Sequence, residues 1–317
     1  MLQFARCWLL ERKLLVQRKK HRARRRRLSL QMLNETFQRI VVVGLGLIGG
    51  SLVKSLRRVV PDCKLTGVDF REVITNARAH LDAAFLPENL GQALGDADLV
   101  FLATPISVIL RLLPEVADAV RPGAVVTDVG STKSWIVAQA AQHFNGARSF
   151  IGGHPMTGSE KGGWENANAH LFENAAYVLT PAPNPPALSL EALANLLQTL
   201  GARAIILDPE EHDRLVAEVS HLPQLLAVAL TNFMARHSQE HEPRLQLAAG
   251  GFRDMTRLAA SPFAIWRDIL NSNRANIRQS LQEFIVVLQQ LARNLDNDDL
   301  ETGFQRANQL RQLIVKE

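Results

Sequence analysis

The stretch Arg39–Leu52, RIVVVGLGLIGGSL, decides the fold. Four apolar residues, Ile40 to Val43, run straight into Gly44-Leu45-Gly46-Leu47-Ile48-Gly49, and a helical pattern follows. This is the layout of a buried strand, a tight turn and a helix N-terminus. Gly44 permits the turn, Gly46 lets backbone approach a pyrophosphate, and Gly49 lets the helix pack on the strand. The N–H groups of the first helical turn, at Leu47 and Ile48, stand at a dipole end that favours phosphate. A G-x-G-x-x-G turn alone is a weak signal, since it can serve packing only. Here a strand precedes it, a helix follows it and an acid stands at the right distance. The expectation is a bound dinucleotide.

That acid is Asp69, at the end of the second strand, Lys64 to Asp69. There a carboxylate accepts hydrogen bonds from the adenosine ribose and repels a 2′-phosphate. This favours NAD, while Arg71, two residues on, keeps NADP open. The plainer reading of Asp69 is a strand-end turn residue.

Asp98 to Ala103 is a further buried strand, ending at Thr104-Pro105, and Ala124 to Thr127 is another, followed by Asp128-Val129-Gly130-Ser131-Thr132-Lys133. Alternating strands and helices imply a doubly wound parallel sheet, with ligands at the C-terminal strand edges. Thr104 and Ser131 sit at such edges. Ser131 has two readings: a cap for the next helix, or a hydroxyl reaching the nicotinamide or a substrate oxygen. Phe150 to Glu160, FIGGHPMTGSE, reads as glycine-rich backbone wrapped closely around something. His154, stiffened by Pro155 at a sheet edge, is the candidate proton acceptor near neutral pH. Ala176–Thr180 and Ala204–Leu207 read as strands around a helix, Leu188–Leu200, with a proline-rich loop at Pro181–Pro186.

From Asp208 onward the pattern is helical. His212 to His237 is one helix interrupted by Pro223, which should leave a carbonyl near residue 219 unpaired and kink the chain beside His221. His221 reads equally as a ligand contact or a satisfied buried histidine. Ile269 to Leu295 reads as one long amphipathic helix, with Ile277, Leu281, Phe284, Ile285 and Leu288 on one face. Such faces suggest a dimer.

A chain of 317 residues with 47% hydrophobic content supports two cores. It has no apolar run of 18 residues, which excludes a transmembrane helix. Cys7 and Cys63 offer neither a disulfide framework nor a metal site, and fit a cytoplasmic setting. The net charge of +5 is unevenly spread: residues 1–31 hold eleven Lys/Arg against one acid, and the rest holds 25 bases against 30 acids. The body is mildly acidic, which argues against a nucleic-acid surface. The basic block repels itself and should be disordered. It reads as a targeting segment, as a contact for RNA or an anionic membrane, or as an artefact of a true start at Met32; the last is favoured. The expected division is 1–36 as a basic extension, 37–208 as the dinucleotide-binding domain and 209–317 as the helical domain.

Gly250-Gly251-Phe252-Arg253-Asp254-Met255-Thr256-Arg257-Leu258-Ala259 is too specific to be generic. With GLGLIGGS, FLATP, DVGSTK, GGHPMTGSEKGG and HLP, in that family's order, it closely resembles the prephenate/arogenate dehydrogenase family of tyrosine biosynthesis. The resemblance runs from about residue 38 to beyond Trp266-Arg267-Asp268. It implies a Rossmann-type domain followed by an all-helical dimerisation domain, a 6-phosphogluconate-dehydrogenase-like α/β architecture. It implies hydride transfer from a cyclohexadienol to NAD(P), with loss of the ring carboxylate as CO2. By the resemblance, His154 is the catalytic histidine on the ring hydroxyl and Ser131 lies near it and the nicotinamide. His221 lines the substrate pocket, Arg257 binds a substrate carboxylate, and Glu160 and Asp254 close the pocket by ionic contacts. Some relatives carry a histidine where this chain has Gln224. The chain ends at Glu317, before the regulatory domain of some relatives, so any tyrosine inhibition is expected at the active site. The plainer reading of Arg257 is a helical salt bridge to Asp254. The rival functions are a β-hydroxyacid dehydrogenase and a non-catalytic NAD-binding regulator that touches nucleic acid through the basic tail.

Overall fold

The computed structural model describes residues 36–144, 148–159, 161–182, 187–236, 246–295 and 299–315. The basic segment 1–31, the start at Met32 and most of the loop Pro181–Pro186 lie outside the described residues. In chain order the elements are β1 (Arg39–Val43), α1 (Leu47–Val59), β2 (Lys64–Val68), α2 (Arg71–Ala77), β3 (Ala83–Phe85), α3 (Leu90–Leu94), β4 (Leu99–Leu102), α4 (Ile106–Ala119), β5 (Val125–Asp128), α5 (Ser134–His143) and β6 (Ser149–Pro155). Then come β7 (Ala176–Pro181), α6 (Ala187–Thr199), β8 (Arg203–Ile206) and α7 (Pro209–Val216). A π-helical turn, Ala217–His221, leads into α8 (Leu222–Arg236). Four further helices follow among the described residues: α9 (Gly250–Thr256), α10 (Phe263–Ser272), α11 (Arg274–Arg293) and α12 (Asp299–Val315).

The eight strands form one sheet in the order β3-β2-β1-β4-β5-β6-β7-β8. The first six positions are the 3-2-1-4-5-6 order of a dinucleotide-binding sheet, with the switch point between β1 and β4. β1 and β4 are buried on both faces, with Ile40, Val42 and all of Leu99 to Leu102 fully buried. That explains their continuous apolar runs. α1 buries Leu52, Val53 and Leu56 against the sheet and turns Arg57 and Arg58 away.

Two strands, β7 and β8, depart from the all-parallel expectation. β7 pairs antiparallel with β6, Gly153 opposite Leu179 and Pro155 opposite Tyr177. The connection 156–175 leaves and re-enters the sheet at the same edge, so no crossover helix is needed. Instead it lies along α1. Lys54 Nζ donates to Ala167 O (2.8 Å), Ser55 Oγ donates to Ala169 O (2.8 Å), and Trp164 packs over Gly50. α6 then crosses over to β8, which pairs parallel with β7.

Ser149–Pro155 is an inner strand rather than a wrapped turn. Its glycines serve close packing: a Cβ on Gly152 would lie 2.3 Å from Thr180 Oγ1, and one on Gly153 2.4 Å from Asp128 O. The helix expected over 269–295 is two helices, broken at Asn273. Asn273 leaves helical geometry (ψ 26°) and its buried side chain is taken up by tertiary hydrogen bonds. Ahead of Pro223, which has no N–H, the chain widens into the π turn.

The chain divides into two compact units. One comprises described residues up to Asp213 together with Ala260–Ser272; the other comprises Arg214–Ala259 and described residues from Asn273. The first contains the sheet and the second is helical. α10 belongs to the sheet unit. Its Asp268 carboxylate accepts from Ser107 N at the start of α4 (2.9 Å), and Ser272 Oγ meets Thr132 Oγ1 (2.8 Å). Among the described residues no helix is long and apolar enough to cross a membrane.

Candidate active site

Because β1, β2, β4, β5 and β6 run in one direction, their C-terminal ends form one edge. Gly44 follows β1 with φ of +91°, where any side chain would be strained and a Cβ would lie 2.6 Å from Ala103 O. A Cβ on Gly49 would lie 1.8 Å from Gly44 O, so helix and turn approach as closely as backbones allow. Over Gly46 there is open space. Gly46 is the N-cap of α1 and gives it no side-chain cap, which leaves Leu47 and Ile48 at a bare helix N-terminus. Thr104 Oγ1, just past β4, is buried and has no hydrogen-bond partner among the described residues. An open glycine, an uncapped helix start and an orphaned hydroxyl at one edge fit a dinucleotide. Asp69 at the end of β2 accepts from Leu45 N (2.6 Å) and Phe70 N (2.7 Å), so its carboxylate is fixed against the glycine turn.

The loop after β5 is built around a buried ion pair. Lys133 Nζ contacts Asp128 Oδ2, and both side chains are fully buried. The pair grips Gly153 by both backbone groups: Lys133 Nζ donates to Gly153 O (2.8 Å), and Gly153 N donates to Asp128 Oδ1 (3.0 Å). Gly153 immediately precedes His154, so this grip fixes where the imidazole begins. Burial lowers the Lys133 ammonium pKa from its ordinary value, against the raising effect of the Asp128 charge. Ser131, in the same loop, is half-buried and does not cap α5. Asp213 does that from a distance: Lys133 N donates to Oδ1 (2.7 Å) and Ser134 N to Oδ2 (3.0 Å).

His154 is 8% exposed at the end of β6. Its Nδ1 lies 2.9 Å from Nε2 of fully buried His212, and His212 Nδ1 lies 2.8 Å from Asp213 Oδ1. The two rings meet edge to face at 5.1 Å. Burial would raise the Asp213 carboxyl. The hydrogen bond from His212 and the two backbone N–H groups outweigh it and hold the carboxyl below its ordinary range. His212 and Asp213 carried no signal in the sequence beyond starting a helix, because their partner is 58 residues away.

In the helical unit, His221 is 1% exposed within the π turn, and its Nδ1 is 3.3 Å from Asn273 Nδ2. Gln224, also buried, donates from Nε2 to Leu258 O (2.8 Å) and so ties α8 to the turn that begins at Arg257. Arg257 and Asp254 are both exposed, and no ion pair between them is present among the described residues. Glu160 lies outside the described residues. Among the described residues no cluster of three or more His, Cys, Asp or Glu could hold a metal.

Two family profiles match the chain. Residues 52–206 match "Prephenate dehydrogenase, nucleotide-binding domain", and residues 208–311 match "Prephenate dehydrogenase, dimerization domain". A prephenate dehydrogenase of Lactococcus lactis subsp. cremoris is 38% identical over 284 residues, covering 87% of this chain and 77% of that protein. The crystal structure of Synechocystis arogenate dehydrogenase is similar with a TM-score of 0.75 at 34% identity, covering 87% of this chain and 99% of that one. The prephenate dehydrogenase of A. aeolicus in complex with hydroxyphenyl propionate and NAD+ is similar with a TM-score of 0.77 at 29% identity, covering 88% and 96%.

Proposed function

This chain belongs to the prephenate dehydrogenase family, and on that premise we propose how its residues divide the work of the reaction. It is an oxidoreductase with the prephenate/arogenate dehydrogenase activity of tyrosine biosynthesis. The ring carbon bearing the hydroxyl loses hydride while the hydroxyl lends its proton to a base, and the ring carboxylate departs as CO2, leaving its electron pair to complete an aromatic ring whose oxygen takes the proton back. NAD, when bound, supplies the hydride acceptor. The observation that carries the assignment is the single edge shared by Gly44–Gly49, Asp69, Thr104, Ser131 and His154. The glycine turn and the Leu47 and Ile48 N–H groups hold the pyrophosphate, and Asp69 holds the ribose. His154 takes the hydroxyl proton, and Ser131, its hydroxyl uncommitted to a helix cap, hydrogen-bonds beside it.

The substrate is a dianion. Arg257 pairs with one carboxylate, His221 lines the pocket, and Asp254 and Glu160 close it by ionic contacts. A desolvated arginine–carboxylate contact costs about 3–5 kcal/mol to break, against about 0.3–0.5 kcal/mol for an exposed helical pair. Arg257→Ala should therefore raise the KM for the ring substrate at least about tenfold and leave the KM for NAD unchanged. An unaltered substrate KM would leave Arg257 a structural role only.

The assembly is a cytoplasmic homodimer built through the C-terminal helices. Support comes from Ile285, Val287 and Leu291 on α11 and Phe304 and Leu313 on α12, all large, apolar and exposed. Initial rates with prephenate and arogenate, each with NAD and NADP, test the whole reading. Turnover of both substrates is expected, with kcat/KM for NAD above that for NADP by about tenfold or more, the effect of roughly 1.4 kcal/mol of ribose recognition. Equal use of NADP would defeat the role given to Asp69, and no turnover of either ring substrate would defeat the assignment.

A further inference from the structure

We propose that His212 and Asp213 are positioning residues that fix the tautomer of His154, so that its Nε2 lone pair is the proton acceptor. Asp213 sits at the head of this chain of hydrogen bonds. Each of its oxygens faces a backbone N–H, Oδ1 that of Lys133 and Oδ2 that of Ser134. An ionised carboxylate is an acceptor only, and a proton on either oxygen would face one of these donors. Asp213 therefore accepts from His212, and the proton of His212 is on Nδ1. A neutral imidazole with Nδ1–H has its lone pair on Nε2. That nitrogen is the one 2.9 Å from His154 Nδ1, so His154 is the donor in this bond and its own proton is on Nδ1. Its Nε2 is left with the lone pair.

The consequence for the reaction is direct. The substrate O–H bond breaks, its proton forms a new bond at His154 Nε2, and the freed electron pair becomes the C=O π bond as hydride leaves the same carbon; when the electron pair left by CO2 makes the ring aromatic, that oxygen takes the proton back from His154. The imidazolium so formed still donates from Nδ1 to His212, which in turn donates to the Asp213 carboxylate. The positive charge thus develops at the end of a chain that terminates in a buried anion. The opposite tautomer would present N–H to the hydroxyl and could not accept its proton.

The inference rests on His154 being the base, and the experiment separates the two. The holoenzyme is labelled with 15N-histidine, and the imidazole nitrogens of His154 are read by NMR, assigned by the loss of their signals in His154→Asn. A protonated Nδ1 and an unprotonated Nε2 are expected in the wild type; the reverse pattern overturns the proposal whatever the kinetics. Asp213→Asn, whose amide can donate to His212 and reverse the chain, should move the His154 proton to Nε2. It should also lower kcat on the order of 10²-fold with KM within about threefold. His212→Leu should lose kcat similarly, and His212→Gln, whose carbonyl can accept from His154 Nδ1, should recover most of it. Wild-type kcat in His212→Leu would overturn the proposal. Wild-type kcat in His154→Asn would instead overturn the reading of His154 as the base.

Discussion

Replacing Lys133 with methionine is expected to cost about 3–5 kcal/mol of folding stability. The ammonium is fully buried and donates to Asp128 and to Gly153 O. Methionine fills much of the same volume but leaves the Asp128 carboxylate buried with only backbone partners, Gly130 N (2.7 Å) and Gly153 N (3.0 Å). An uncompensated buried charge is far costlier than a lost surface pair. Against a typical total of 5–15 kcal/mol, the variant should unfold at markedly lower urea than the wild type. Equilibrium urea titration followed by far-UV circular dichroism measures this. A loss below about 1 kcal/mol, the scale of one ordinary hydrogen bond, would mean that Asp128 does not depend on this cation.

His154→Asn is expected to lower kcat by about 10²–10⁴, the usual range for general acid–base assistance. Asparagine can preserve a hydrogen bond toward His212 but has no nitrogen able to take a proton near neutral pH. The glycine turn and Asp69 are untouched, so the affinity for NAD should not change. Steady-state absorbance of the reduced cofactor gives kcat, and a fluorescence titration gives cofactor affinity. A variant that turns over like the wild type would remove His154 from the proton transfer.

The cofactor half of the sheet was legible because local and global demands coincide there. The four-residue apolar run into G-x-G-x-x-G needs a strand buried on both faces, a left-handed glycine and a bare helix start, and the structure has all three at β1, Gly44 and α1. The strand through Gly152-Gly153-His154-Pro155 was not legible. Glycine and proline carry little strand preference; the segment is a strand because it pairs with β5 and β7, and its glycines are needed because Thr180 and Asp128 crowd the faces where side chains would stand. The direction of β7 leaves no trace in a period-2 pattern, which is the same whichever way a strand runs. The partners of His154 escaped for a different reason. A histidine and an aspartate at the head of an amphipathic helix look like surface residues until the sheet brings β6 to them. Likewise the helix period runs smoothly through Asn273, and only its buried contact with His221 shows why the chain breaks there.

The return of α10 to the sheet unit bears on how the protein is made. Synthesis is vectorial, and sheet-forming residues up to β8 leave the ribosome well before Phe263–Ser272. Until then Ser107 N lacks the Asp268 carboxylate and Thr132 lacks Ser272. The nascent sheet can assemble its core early, but the start of α4 and the loop between Asp128 and Lys133 acquire these contacts only after the first segment of the helical unit, Arg214–Ala259, has been translated. The cofactor edge therefore matures later than the sheet core it stands on.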